Sequence, residues 1–138
     1  MKDRDKLENW FMQHLGSSVS VILAGQIFGG TIGEMPQTVR ELDFGYDQFS
    51  MKFASTETLT VSRPEKIKIG KQNQLIVTDA SKAIFGWHHY GVPQTDETWT
   101  EISYIKSKKR VQVSWKGVIS DKRVIDYSGD KFVELLLI

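Results

Sequence analysis

Residues 98–116 read TWTEISYIKSKKRVQVSWK. In residues 110–116, Val111, Val113 and Trp115 alternate with Arg110, Gln112, Ser114 and Lys116. Successive side chains of a strand point to opposite faces, so this period of two predicts a half-buried strand. Residues 98–106 supply its partner, joined through the tight turn 107–109. That link is too short for a helical crossover, which makes the pair antiparallel.

The same pattern continues outward. Phe49, Met51 and Phe53 alternate with Ser50, Lys52 and Ala54, and Leu59 and Val61 share a face before Pro64 interrupts. Residues 66–69 and 74–78 flank Gly70-Lys71-Gln72-Asn73 as a hairpin, and residues 83–90 precede 98–106. Residues 38–46 form a further strand. Residues 17–28 read as one strand, with Val19, Val21, Leu23 and Ile27 on a common face, followed by a glycine-rich break and a loop through Pro36. Near the end, residues 123–127 and 131–138 flank Ser128-Gly129-Asp130 as a hairpin, and FVELLLI is apolar enough to be paired on both edges.

Only residues 3–15 carry a helical period, with Leu7, Trp10, Phe11, His14 and Leu15 on one stripe. Asp3 or Asp5 is placed to cap it, and Gly16 to end it. The expected architecture is one mainly β domain over residues 1–138, with a helix at 3–15 and antiparallel β from 17 to 138. About ten short strands would form a barrel-like roll or a strongly bent sheet, which protects their edges.

Composition removes several functions. The chain of 138 residues has no cysteine, so disulfides, thiolate nucleophiles and cysteine-based zinc sites are excluded. The net charge of +1 argues against a dedicated nucleic-acid binder. Residues 106–123 nevertheless carry seven cations against Asp121 alone, a local balance of +6, and residues 34–47 carry −3. Patches of opposite sign can pair between copies, so self-association is one expectation. The apolar run at 19–28 is interrupted by Ser20 and Gln26 and preceded by acidic residues, a poor leader. It is far short of the roughly 18 apolar residues of a membrane helix. A cytoplasmic protein without membrane association is expected.

Residues 83–104 hold two of the four tryptophans and two of the three histidines, so a binding site is sought there. Strand alternation sends His88 and His89 to opposite faces, which disfavours a shared metal ion. Phe85, Trp87 and Trp99 are expected in the core, whereas His88, Tyr90 and the loop 91–98 are expected at the surface. Asp96, Glu97 and Glu101 are available carboxylates without a spacing that marks a catalytic pair. No nucleophile elbow, phosphate loop or dinucleotide fingerprint is present, and no cofactor motif is recognised.

The expected function is a non-enzymatic binding or protein-interaction module. Its candidate residues are His88, His89, Tyr90, Asp96, Glu97, Trp99 and Glu101. A small-molecule-binding barrel or hydrolase with a polar pocket near His88, His89 and Glu101 is the alternative. A third is weak nucleic-acid binding through Lys106, Lys108, Lys109 and Arg110, which needs exposed aromatics beside the cations.

Overall fold

A computed structural model of the protein describes residues 1–28, 37–89, 92–117 and 121–138, with Ile27 and Phe28 described by backbone alone. The expected helix is present as α1 (Arg4–His14). Leu7 and Trp10 are buried, one turn apart on the stripe that the sequence defines. Gly16 follows the helix with φ +85°, as its position predicts. Asp3 is not the expected side-chain cap. Its carboxylate instead accepts the Ile67 amide at 3.0 Å, while the Trp10 indole N–H donates to the Asn73 carbonyl at 2.6 Å. Two polar contacts and the Leu7–Trp10 face thus hold α1 on the hairpin of residues 67–77.

Among the described residues twelve strands follow. The segment expected as one strand through Phe28 is a hairpin, β1 (Ser18–Leu23) and β2 (Gln26–Phe28). Ala24 and Gly25 turn it, both in the left-handed region with φ 47° and 80°. Such two-residue turns match strand twist, and glycine enters that region freely whereas alanine does not. Ala24 is held there by burial and by donating its amide to the Phe132 carbonyl at 2.9 Å.

A meander runs through β3 (Gln37–Gly45), β4 (Gln48–Phe53) and β5 (Thr58–Ser62). The short hairpin β6 (Ile67–Ile69) and β7 (Leu75–Val77) follows as expected. The meander resumes with β8 (Lys82–His88), β9 (Trp99–Ser107), β10 (Arg110–Lys116) and β11 (Asp121–Asp126). The last strand is β12 (Val133–Leu137). Neighbours lie in the order β11-β10-β9-β8-β5-β4-β3-β1-β12-β7-β6, with β2 beside β1, and every pairing is antiparallel.

The β5–β8 ribbon continues into β6–β7 around a bend at Arg63 and buried Pro64. Across that bend Ser81 donates to the Ser62 carbonyl, Glu65 to Asp79 and Thr78 to Lys66. The ribbon leaves the middle of the ladder, and its tip pairs with β12 at the far end. The sheet is therefore strongly bent but not closed. Its two halves meet inside: the Tyr104 hydroxyl of β9 donates to the Gln26 side chain of β2, with β8, β5, β4, β3 and β1 between them in the ladder.

The expected hairpin across Ser128-Gly129-Asp130 does not form. Among the described residues β11 pairs with β10 alone, whereas β12 inserts between β1 and β7. Local turn chemistry loses to burial here, because VELLL hides Val133 and Leu135 by pairing on both edges, between β1 and β7. The crossing segment is fastened by the Tyr127 hydroxyl, which donates to the Lys131 carbonyl at 2.7 Å. Strand alternation delivers Phe49, Met51, Phe53, Leu59, Val61, Val111 and Val113 to the core as expected, and Ile102 joins them. Among the described residues no helix is long and apolar enough to cross a membrane.

Candidate recognition face

The pairs Gly86↔Glu101, Trp87↔Thr100 and His88↔Trp99 align β8 with β9. Phe85, Ile102 and Tyr104 are buried on the inner face, so alternation places Gly86, His88, Trp99 and Glu101 on the outer face. Trp99 is therefore not the core residue that its hydrophobicity suggests. It is half-buried on the outside, and its six-membered ring lies across Gly86. A Cβ at Gly86 would stand 2.1 Å from Trp99 Cζ2, so only glycine admits this placement. The His88 ring stands edge-on to Trp99 with centroids 5.0 Å apart.

His88 is held through its backbone and one ring nitrogen. Its amide donates to Thr56 Oγ1 at 2.9 Å, and the Thr56 hydroxyl donates back to the His88 carbonyl at 3.1 Å. Its Nδ1 lies 3.0 Å from Thr98 Oγ1. The single hydroxyl proton of Thr98 is directed at the carbonyls of Pro93 and Thr95. Toward His88 that oxygen is an acceptor, which assigns a proton to Nδ1; in the neutral ring Nε2 is then an acceptor for other groups.

A groove of about 310 Å³ opens beside this pair, lined among others by Arg40, Lys52, Thr56, Glu57, His88, Gln94 and Trp99. Glu57 Oε2 is buried there with no hydrogen-bond partner among the described residues. Lys52 lies within 4 Å of both Glu41 and Asp43. A second groove of about 580 Å³ lies on the outer face of β9–β11, lined by Glu101, Ser103, Ser114, Lys116 and Lys122 among others.

The candidate residues are thus distributed. His88 and Trp99 come together, and Glu101 shares their face two residues along β9. His89 does not join them: its amide donates to the Thr98 carbonyl at 3.0 Å, and its Nε2 lies 2.6 Å from buried Thr100 Oγ1. Thr100 pairs with Trp87, a member of the inner aromatic row Phe53, Phe85, Trp87 and Trp115, in which successive ring centroids are 5.8–6.4 Å apart. Phe85 is buried as expected, whereas Trp87 is half-buried. Asp96 and Glu97 are exposed in a short 3-10 turn, Asp96–Thr98, whose ends are bonded by Thr95 and Thr98. Tyr90 lies outside the described residues.

The basic set is also divided. Lys106 turns inward, its side chain only 13% exposed and its Nζ 3.1 Å from Asp79 Oδ1. Lys108, Lys109 and Arg110 are exposed at the β9–β10 turn, with Arg110 3.5 Å from Asp126. Tyr104 is fully buried and offers these cations no stacking surface, and burial pushes its phenol pKa well above the usual value. Among the described residues no group of three or more His, Asp or Glu side chains could hold a metal ion.

Arg40, Lys52, Thr56, Glu57 and Gln94 were not singled out by the sequence, because they come from separate strands and turns. Gly86 was the legible clue: glycine inside a strand marks a close approach. Comparison with protein-family models, curated proteins and solved structures finds no match to this chain.

Proposed function

We propose that the protein is a recognition module that holds a short polar peptide segment of a partner protein on its outer face. The observation that carries this reading is the placement of Trp99. A large aromatic held outside the core, with Gly86 beneath it and His88 against its edge, is a preformed platform that loses little freedom on binding. The adjoining groove is sized for one or two side chains. Glu57 lines the groove with a buried carboxylate oxygen that has no hydrogen-bond partner among the described residues, and the neutral His88 ring adds Nε2 as an acceptor, so the incoming segment presents a donor such as Lys, Arg or Asn. Gln94, one of the exposed residues 92–97, lines the same groove. The interior supports a ligand pocket less well, since His89 is engaged with Thr100 and the inner positions are packed by large side chains.

The test is selection of random peptides on the wild-type surface, followed by affinity measurement on variants. Selected peptides carrying a donor side chain should lose about thirtyfold or more in affinity on Trp99→Ala, the loss of a binding hot spot. Glu57→Gln should weaken them less, and Lys108→Ala/Lys109→Ala/Arg110→Ala should leave them unchanged. Peptides that bind Trp99→Ala as well as wild type, with its melting temperature intact, would overturn the assignment.

A further inference from the structure

We propose that the outer edge of β11 is a self-pairing surface, through which two copies of this chain join their sheets antiparallel about a two-fold axis at Val124. The hydrogen-bond phase of β11 is fixed by one contact. The Tyr127 amide donates to the Lys109 carbonyl at 2.7 Å, in register with Arg110↔Asp126 and Val111↔Ile125. In an antiparallel ladder alternate residues bond to the same neighbour. Asp121, Arg123 and Ile125 therefore bond to β10, and Lys122, Val124 and Asp126 turn their amides and carbonyls away from it. Among the described residues no strand takes them up.

The side chains of these same three residues are exposed, with Val124 60% accessible. They share the outer face as Lys-x-Val-x-Asp. Two copies of that pattern run antiparallel fit themselves: centred on Val124, Lys122 of each copy faces Asp126 of the other, and Val124 faces Val124. All three outward residues are then in hydrogen-bonded pairs. Slid by two residues either way, Val124 meets a charge and an end residue loses its partner within the strand. Opposite charges placed across a pair favour association, and like charges oppose it. Arg110 already lies 3.5 Å from Asp126, so each end of the seam would hold two cations around one carboxylate.

Two devices that blunt an edge are missing from β11, and its charges are of both signs, so they complement rather than repel a second copy. It contains no proline, and its register against β10 is unbroken over six pairs. An interface of one short strand pair is small, so the expected dimer is weak and concentration-dependent.

Sedimentation velocity between about 10 μM and 1 mM tests this. Wild type should shift from monomer toward dimer across that range. Lys122→Asp and Asp126→Lys should each weaken self-association at least tenfold, since each sets like charges opposite one another twice. Mixed in equal amounts, the two variants should pair with each other, because both cross-strand contacts become complementary again. Val124→Pro should be monomeric throughout with an unchanged circular dichroism spectrum, as it removes an amide that β10 does not use. A wild type that stays monomeric to the highest concentration overturns the proposal. So does a dimer indifferent to Val124→Pro, or a variant mixture that fails to recover association.

Discussion

The two ends of one ladder are finished in different ways. β6 is three residues long, and its outward Ile67 amide is bound by Asp3 while α1 lies against it. β11 is six residues long and turns the backbone of Lys122, Val124 and Asp126 outward with no strand beside it among the described residues. An unpaired edge is a template for further strands, and proteins cover it, shorten it or charge it. Here the chain covers and shortens one edge and leaves the other long and charged with both signs. Covering costs a dedicated element: eleven residues of helix serve three residues of strand.

The largest test of this contrast is Leu7→Ala. Leu7 is fully buried and anchors α1 to the shared core, so its truncation should cost about 2–5 kcal/mol, read as a lower urea midpoint. Exchange of the Ile67 amide should accelerate with it, while that of Val124 should not change. A loss below about 1 kcal/mol would mean that the helix contributes little to the core.

Asp3 tests the polar half of the same cover. The Ile67 amide holds its carboxyl below the usual carboxylate range. Its contribution to stability is therefore fully present above the unfolded-state value near 3.9 and is lost as pH falls through the lower folded value. Asp3→Asn lacks this titration. Wild type should exceed the variant in urea midpoint near neutral pH, and the two should converge in the acid range. Parallel curves from neutral to acid pH would show that the Asp3–Ile67 contact is not formed in solution.

Legibility in the sequence follows the range of the interaction. Alternation is local, so the strands and inner residues such as Phe49, Met51 and Val113 could be read directly. The turn at Ala24 could not, because alanine is a poor left-handed residue and only burial and the Phe132 carbonyl hold it there. Ser128-Gly129-Asp130 looked like a hairpin locally, but the choice of partner for β12 depends on β1 and β7, which are distant in sequence. Asp3 resembles a cap, but its carboxylate is engaged by the Ile67 amide of β6, distant in sequence. Hydrophobicity alone points Trp99 inward, although its alternation with Ile102 and Tyr104, which face the core, sends it out. The groove beside it draws on β3, β4, the turn before β5 and the loop after β8, and no spacing in the chain announces that convergence.

The smallest expected effect isolates β11. In dilute solution Val124→Pro should change stability by less than about 1 kcal/mol, the span of strand preferences at an open site. Proline is tolerated in an edge strand when its missing amide faces away from the neighbour, and the Tyr127–Lys109 contact puts Val124 in that phase. The preceding Arg123 is in extended backbone, the conformation that a following proline favours. Equilibrium unfolding at low micromolar concentration, below self-association, makes the measurement. A loss above about 2 kcal/mol would place the Val124 amide in a bond within the chain, comparable to a buried donor left unsatisfied. The edge would then be covered after all, and β11 would resemble β6 rather than contrast with it.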